Sequence, residues 1–232
     1  MRPRHLSASI AHLLACVVLS CAATQMKAAE ADAGSGRLLF TRCINCHGPD
    51  AQGMTAGALR VPSIAGVDAW YVENQLRKFR ADLRGAHPED TKGLMMRAMA
   101  RSLANDDEIK AVAAYVASLP RKTEKTDAAA DVKRGQQLYS MVCLACHGAN
   151  SQGNPDPNIH APSQVPLESW YIQEQLAKFR NGVRGGVKDA EGFRMVPMVR
   201  DALPAMAKGM GATVAEADRD IIAYIKTLSG KP

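Results

Sequence analysis

Aromatic residues make up only 5% of this 232-residue chain. That is lean for the cores such a length can build. Beyond the N-terminus no apolar run approaches the roughly 20 residues that span a bilayer. No stretch interleaves Lys and Arg with aromatics, which sets nucleic-acid binding aside. The formal charge of +6 is mild and spread along the chain, as on a solvated surface. Such a face can still steer a protein toward an acidic partner. Of six cysteines, Cys16 and Cys21 lie within the first thirty residues and the other four form two close pairs. No pair is left for a structural disulfide, so the compartment is not readable from disulfides.

It is readable from the N-terminus. Met1-Arg2-Pro3-Arg4 is a basic start, 10–23 is apolar, and Ala29-Glu30-Ala31 is a cleavage site before Asp32. Together these describe a secretory signal peptide over 1–31 and a periplasmic mature protein. A lipid anchor at Cys21, after Val18-Leu19-Ser20, is the rival reading. The mature charge is near +4, since Arg2, Arg4 and Lys27 against Glu30 go with the leader.

What is present is a repeat. Cys43-Ile44-Asn45-Cys46-His47 returns one hundred positions later as Cys143-Leu144-Ala145-Cys146-His147. Cys-x-x-Cys-His is the attachment signature of a c-type haem. Two thiols on one helical turn reach the vinyl edge of a porphyrin, and the histidine beneath it binds the iron. Zinc would need a fourth ligand from elsewhere, since each copy offers three. A thioredoxin-like dithiol would sit beside a βαβ pattern, and no clear strand is legible near either copy. Two haems would also supply the apolar bulk that the missing aromatics do not.

The surroundings repeat as well. Gly36–Arg42 and Gly135–Val142 read as short helices leading into the motifs. Pro62 and Pro162 stand where a loop carbonyl could hold the second N–H of His47 and His147, or where an ordinary turn proline would stand. Asp68 caps a predicted helix Trp70–Leu83, with Val72, Leu76, Phe79 and Leu83 as its apolar stripe. The second copy repeats it as Ile172, Leu176, Phe179 and Val183. Arg80, Arg84, Arg180 and Arg184 are read as a solvated helix face, with contact to haem propionates the less favoured account. The pattern Gly-x-x-Met-x-x-Met recurs from Gly93 and from Gly192. Methionine can take the iron face opposite histidine or simply fill a core. The repeat favours Met96 and Met195, with Met99, Met198 and Met206 as alternatives. His87 and His160 have no counterpart in the other copy and are read as surface histidines. Asn105–Glu108 and Thr213–Glu216 each fit a capping box opening a last helix. Residues 120–131 are a polar linker between domains 32–119 and 132–232. An insertion around 204–211 blurs the second methionine.

Each half resembles a class I cytochrome c, and the tandem resembles a diheme cytochrome c of the c4 type over nearly all of the mature chain. The resemblance implies an all-α fold of two haem-wrapped domains. In that family the methionine about seven residues before the last helix's cap binds iron, and Met96 stands seven before Leu103. It also implies one-electron transfer in the periplasm, often to a terminal oxidase, with a cytochrome bc complex or a dehydrogenase as other partners. A monomer is expected, and peripheral membrane association stays open. The alternatives are a diheme peroxidase or thiosulfate dehydrogenase, and a dedicated electron-transfer subunit of a dehydrogenase complex. An enzyme would need an open iron position or an unusual ligand such as cysteine. The mature chain has no cysteine beyond the two motifs.

Overall fold

The computed structural model describes residues 34–228; the expected signal peptide, its expected cleavage site and the alternative lipid-anchor residue Cys21 lie outside them. The first half runs through α1 (34–40), α2 (Ile44–His47), a short antiparallel hairpin of β1 (Met54–Ala56) and β2 (Leu59–Val61), α3 (Ala69–Arg80), α4 (Thr91–Arg101) and α5 (Asp106–Ser118). The second half repeats this with α6 (Val132–Val142), α7 (Leu144–His147), α8 (Ser169–Arg180), α9 (Ala190–Pro197), α10 (Leu203–Gly209) and α11 (Val214–Thr227). The protein is predominantly helical, as expected. The hairpin is the departure, because a three-residue strand carries no readable alternation. The second half has only an isolated bridge there, between Asn154 and Ala161.

In each half the first and last helices cross at a glycine. A Cβ on Gly36 would lie 2.1 Å from the Ala111 carbonyl oxygen, and one on Gly135 would lie 2.0 Å from that of Asp220. The backbones can approach only because no side chain intervenes. Around each crossing sits a core. Phe40, Leu103, Ile109, Val112 and Val116 fill the first, and Leu138, Tyr139, Leu203, Ile221 and Ile225 the second. The last helices start as their caps dictate. Thr213 and Glu216 form a complete capping box. In the first half the box is open: Asn105 accepts from the Glu108 N–H, but Glu108 takes the Ala104 N–H.

Helix α3 stops at Arg80, short of the expected Leu83. Asp82 adopts a left-handed φ of 59°, and the Leu83 and Arg84 N–H groups turn back to the Lys78 carbonyl. This stop swings Arg84 back over α3. Asp68 occupies the N-cap position without making a side-chain cap bond. In the second half the insertion is helical. Pro197 lacks the N–H that would continue α9, and the chain passes through a π-helical turn, Met198–Ala202, into α10. Leu203 and Ala207 of that stretch are buried in the second core.

A third cluster joins the halves: Val67 and Tyr71 pack with Leu167, Ile172, Leu176, Phe179, Val196, Val199 and Ile222. The connecting segment is tied down, since Glu124 accepts from the Ser169 N–H at 2.8 Å, at the start of α8. No helix among the described residues is long and apolar enough to cross a membrane.

Candidate functional site

Each Cys-x-x-Cys-His forms one helical turn whose N-cap is the leading cysteine, Cys43 or Cys143. His47 and His147 are 6% and 5% exposed. Nδ1 of each lies 2.9 Å from a loop carbonyl, that of Pro62 and of Pro162 respectively. A carbonyl can only accept, so Nδ1 carries the proton and Nε2 keeps its lone pair. Burial, partly offset by these bonds, holds both imidazoles below the ordinary histidine range. His147 Nε2 is buried with no hydrogen-bond partner among the described residues. An orphaned buried nitrogen is costly and suits an iron ligand. Burial also pushes the leading thiols up, Cys43 to about 11 and Cys143 to about 12. Among the described residues no group of three or more His, Cys, Asp or Glu side chains is placed to hold a metal ion.

The loops after the histidines close by backbone approach. A Cβ on Gly53 would sit 2.4 Å from the Val61 oxygen, and one on Gly153 2.4 Å from the Ser163 nitrogen. This closure carries Pro62 and Pro162 over the imidazoles. In the first half Cys43, Cys46, His47, Met96 and Met99 line one cavity of about 400 Å³. Both methionine candidates therefore face the same space, and Met95 lines it too. In the second half Met195 is partly buried against the Ile172–Leu176–Phe179 cluster, whereas Met198 and Met206 are exposed by 37% and 41%.

The first cavity opens onto the other half, where Trp170, Tyr171 and Gln175 complete its wall. Here two sequence expectations fail. Arg84 and Arg184 are not on a solvated face but 7% and 9% exposed between the halves. Arg84 donates to Gln75 Oε1 at 2.7 Å and to the Tyr171 hydroxyl at 2.6 Å. Arg184 donates to Gln175 at 2.8 Å, Gln75 at 2.9 Å and the Tyr71 hydroxyl at 3.4 Å. The cluster is nearly two-fold symmetric. Burial alone would raise the Tyr71 phenol, but Arg184 and Arg84 hold it below its ordinary range. The acceptors in these bonds are amide and phenol oxygens and none is a carboxylate, and Arg184 Nε is buried without a partner among the described residues. Two buried guanidiniums so placed fit the carboxylates of a haem. Arg80 pairs with Asp106 and Arg180 with Asp218.

His160 is the second failure. It is half-buried, stacks on Trp70 of the first half and binds Asn74 and Glu191. The equivalent Arg60 lies over Trp170, 4.3 Å from the ring centroid. His87 is exposed, as read. Also missed were Lys78, which is buried, and Lys178, which is half-buried, each paired with an aspartate of the opposite half, Asp189 and Asp90. The Asp-x-x-Gly before each methionine pair was their available signal.

Helical halves that each present a cysteine-tethering turn and a carbonyl-backed histidine define a protein built to hold porphyrin iron. The family model for cytochrome c matches residues 33–120 and 132–229, and the chain belongs to the cytochrome c family, whose members bind haem c covalently. Cytochrome c4 of Azotobacter vinelandii is 29% identical over 184 residues, covering 74% of this chain and 83% of that one. The thiosulfate dehydrogenase electron acceptor of Stutzerimonas stutzeri strain A1501 is 28% identical over 199 residues, covering 77% and 86%. The crystal structure of reduced recombinant cytochrome c4 from Pseudomonas stutzeri superposes with a TM-score of 0.57 at 25% identity, covering 85% of this chain and 97% of that one. The architecture is that of a diheme, cytochrome c4-like class I cytochrome c. Its function is electron transfer, and the carrier reading stands over the enzymatic one.

Proposed function

We propose that Cys43 and Cys46 would hold one haem c, with His47 and Met96 as its iron ligands, and that Cys143 and Cys146 would hold a second, with His147 and Met195. The first haem belongs to a domain of 32–119 and the second to one of 132–232, joined by the linker 120–131. When bound, each haem supplies a one-electron Fe(II)/Fe(III) couple, whose potential His/Met ligation raises. The chain's own part is to hold that couple with little rearrangement. The Pro62 and Pro162 carbonyls fix the imidazole tautomers. Arg84 and Arg184 would meet haem carboxylates at the interface. Electrons would then enter at one domain, cross the interface and leave from the other.

The observation that carries this reading is the duplication itself: the same histidine–carbonyl geometry, at the same 2.9 Å, in two halves that share a buried polar interface. Partners would be respiratory redox complexes, met through small transient interfaces. Relatives named as a thiosulfate dehydrogenase electron acceptor and as cbb3-type oxidase subunits support that class. Export to the periplasm accords with the leader and with haem attachment outside the cytoplasm. The test is the weak far-red band of a methionine–iron bond. Met96→Ala and Met195→Ala should each remove about half of it, since each would take one of two equal sites. A band that survives intact in either variant rejects that methionine and moves the assignment to Met99 or Met198.

A further inference from the structure

The two helices that bear the methionines are gripped, at their first turns, by the opposite half. Asp90 caps α4 by accepting the Gly93 N–H at 3.0 Å, and its Oδ1 also meets Lys178 Nζ of α8 at 2.8 Å. Asp189 caps α9 by accepting the Gly192 N–H at 3.1 Å, and its Oδ1 meets Lys78 Nζ of α3 at 2.5 Å. Both aspartates are all but inaccessible, at 3% and 2% exposure. A second bond reinforces each grip. Glu174 of α8 holds Lys92 of α4 at 2.6 Å, and Asn74 of α3 holds Glu191 of α9 at 2.8 Å.

We propose that each domain positions the other domain's methionine helix: Lys178 sets α4, and so the ligand of the first iron, while Lys78 sets α9 and the ligand of the second. The physical reason is the burial of the caps. A carboxylate out of water needs a cation, and stripping its partner is strongly destabilising. The first turn of α4 or α9 is therefore complete only when the domains are docked. Glycine packing passes this on. The Gly93 carbonyl lies where a Cβ on Gly85 would be only 2.4 Å away, and Gly192 packs likewise on Gly185. Neither lysine belongs to the haem-attachment turns, so both are positioning residues. Their effect is contralateral, and a purely local structural role would not be.

The inference rests on methionine ligation from α4 and α9, and two readouts keep it separable from that reading. In full-length holoprotein, Lys178→Met should lower the far-red band that survives in a Met195→Ala background. Lys78→Met should lower the one that survives in Met96→Ala. Hydrogen exchange does not depend on the ligand. Lys178→Met should speed exchange of the α4 amides by about tenfold or more and leave α9 unchanged, with Lys78→Met doing the reverse. If a single variant folds poorly, Lys178→Met with Asp90→Asn removes the ion pair while keeping a capping side chain and no orphan charge. Its α4 exchange should still rise. Ipsilateral effects, or unchanged exchange in folded variants, overturn the proposal whatever the ligands are. Contralateral exchange with an unaltered band rejects the ligand assignment alone.

Discussion

The ring of His160 stacks on Trp70 across the interface, with centroids 4.6 Å apart and planes 29° from parallel. The same ring meets Asn74 and Glu191, so one side chain of the second half closes onto α3 of the first. Its counterpart Arg60 is exposed and rests on Trp170, without such bonds among the described residues. His160→Ala is expected to cost about 1–2 kcal/mol, and Arg60→Ala no more than about 0.5–1 kcal/mol. Denaturant unfolding of the two variants checks this. Equal losses would mean that the hydrogen bonds of His160 contribute nothing.

Acid should loosen the same interface. Burial favours the neutral form of Glu191, but Lys78, His160 and Asn74 outweigh it and hold its carboxyl at about 2, against an ordinary 4.5. A lowered folded-state value favours folding at pH above the ordinary value. That contribution is lost as pH falls from about 4.5 toward about 2. Asp90 and Glu174 shift the same way under Lys178, and burial moves Asp218 the other way. Thermal midpoints should therefore drop between pH 5 and 2 more steeply in the wild type than in Glu191→Gln. Parallel curves would contradict the assignment.

The helix crossings make a sharper demand. Gly135→Ala forces a methyl group onto the Asp220 carbonyl and should destabilise the second half by about 1–3 kcal/mol. Gly209, with nothing within 4 Å of a Cβ, is the control. Gly209→Ala should be neutral or slightly stabilising in a helix. Chemical denaturation that ranks the two the other way would reject the crossing.

The halves also differ at one buried ring. Tyr139 donates its hydroxyl to the Gly148 carbonyl at 2.7 Å, just past the second haem motif, where the first half has Phe40. Tyr139→Phe should cost about 0.5–1.5 kcal/mol. The loss should appear as faster hydrogen exchange around residues 147–153 and not around 47–53. Equal change at both loops would show that the bond is not local.

Much of this architecture was legible because it is local or repeated. Cys-x-x-Cys-His declares its chemistry in five residues. The Pro62 and Pro162 carbonyls lie fifteen positions after the histidines they hold, and the last helices carry caps and apolar stripes. What escaped depends on how the halves dock. Arg84 and Arg184 look like surface cations until the left-handed stops after α3 and α8, at Asp82 and Gly182, turn them inward. Lys78 and Lys178 stand one helical turn after the polar Asn74 and Glu174, so in sequence they sit on polar helix faces. His160 matters only because the other half offers Trp70. No periodicity encodes an interface between copies of the same fold. The retention of Lys, Arg and Asp at matching places in both halves was the one hint. The choice between Met96 and Met99 is close for a related reason, since both side chains line one cavity.

The most direct test is a potentiometric titration of the purified mature protein, followed by absorption, with haem quantified against protein and carbon monoxide added at the end. The account predicts two covalently bound low-spin haems per chain, two one-electron steps, and no carbon monoxide adduct at either iron. A single haem per chain, or one iron that is high-spin and takes up carbon monoxide in the native protein, would contradict the carrier and point to an open catalytic site.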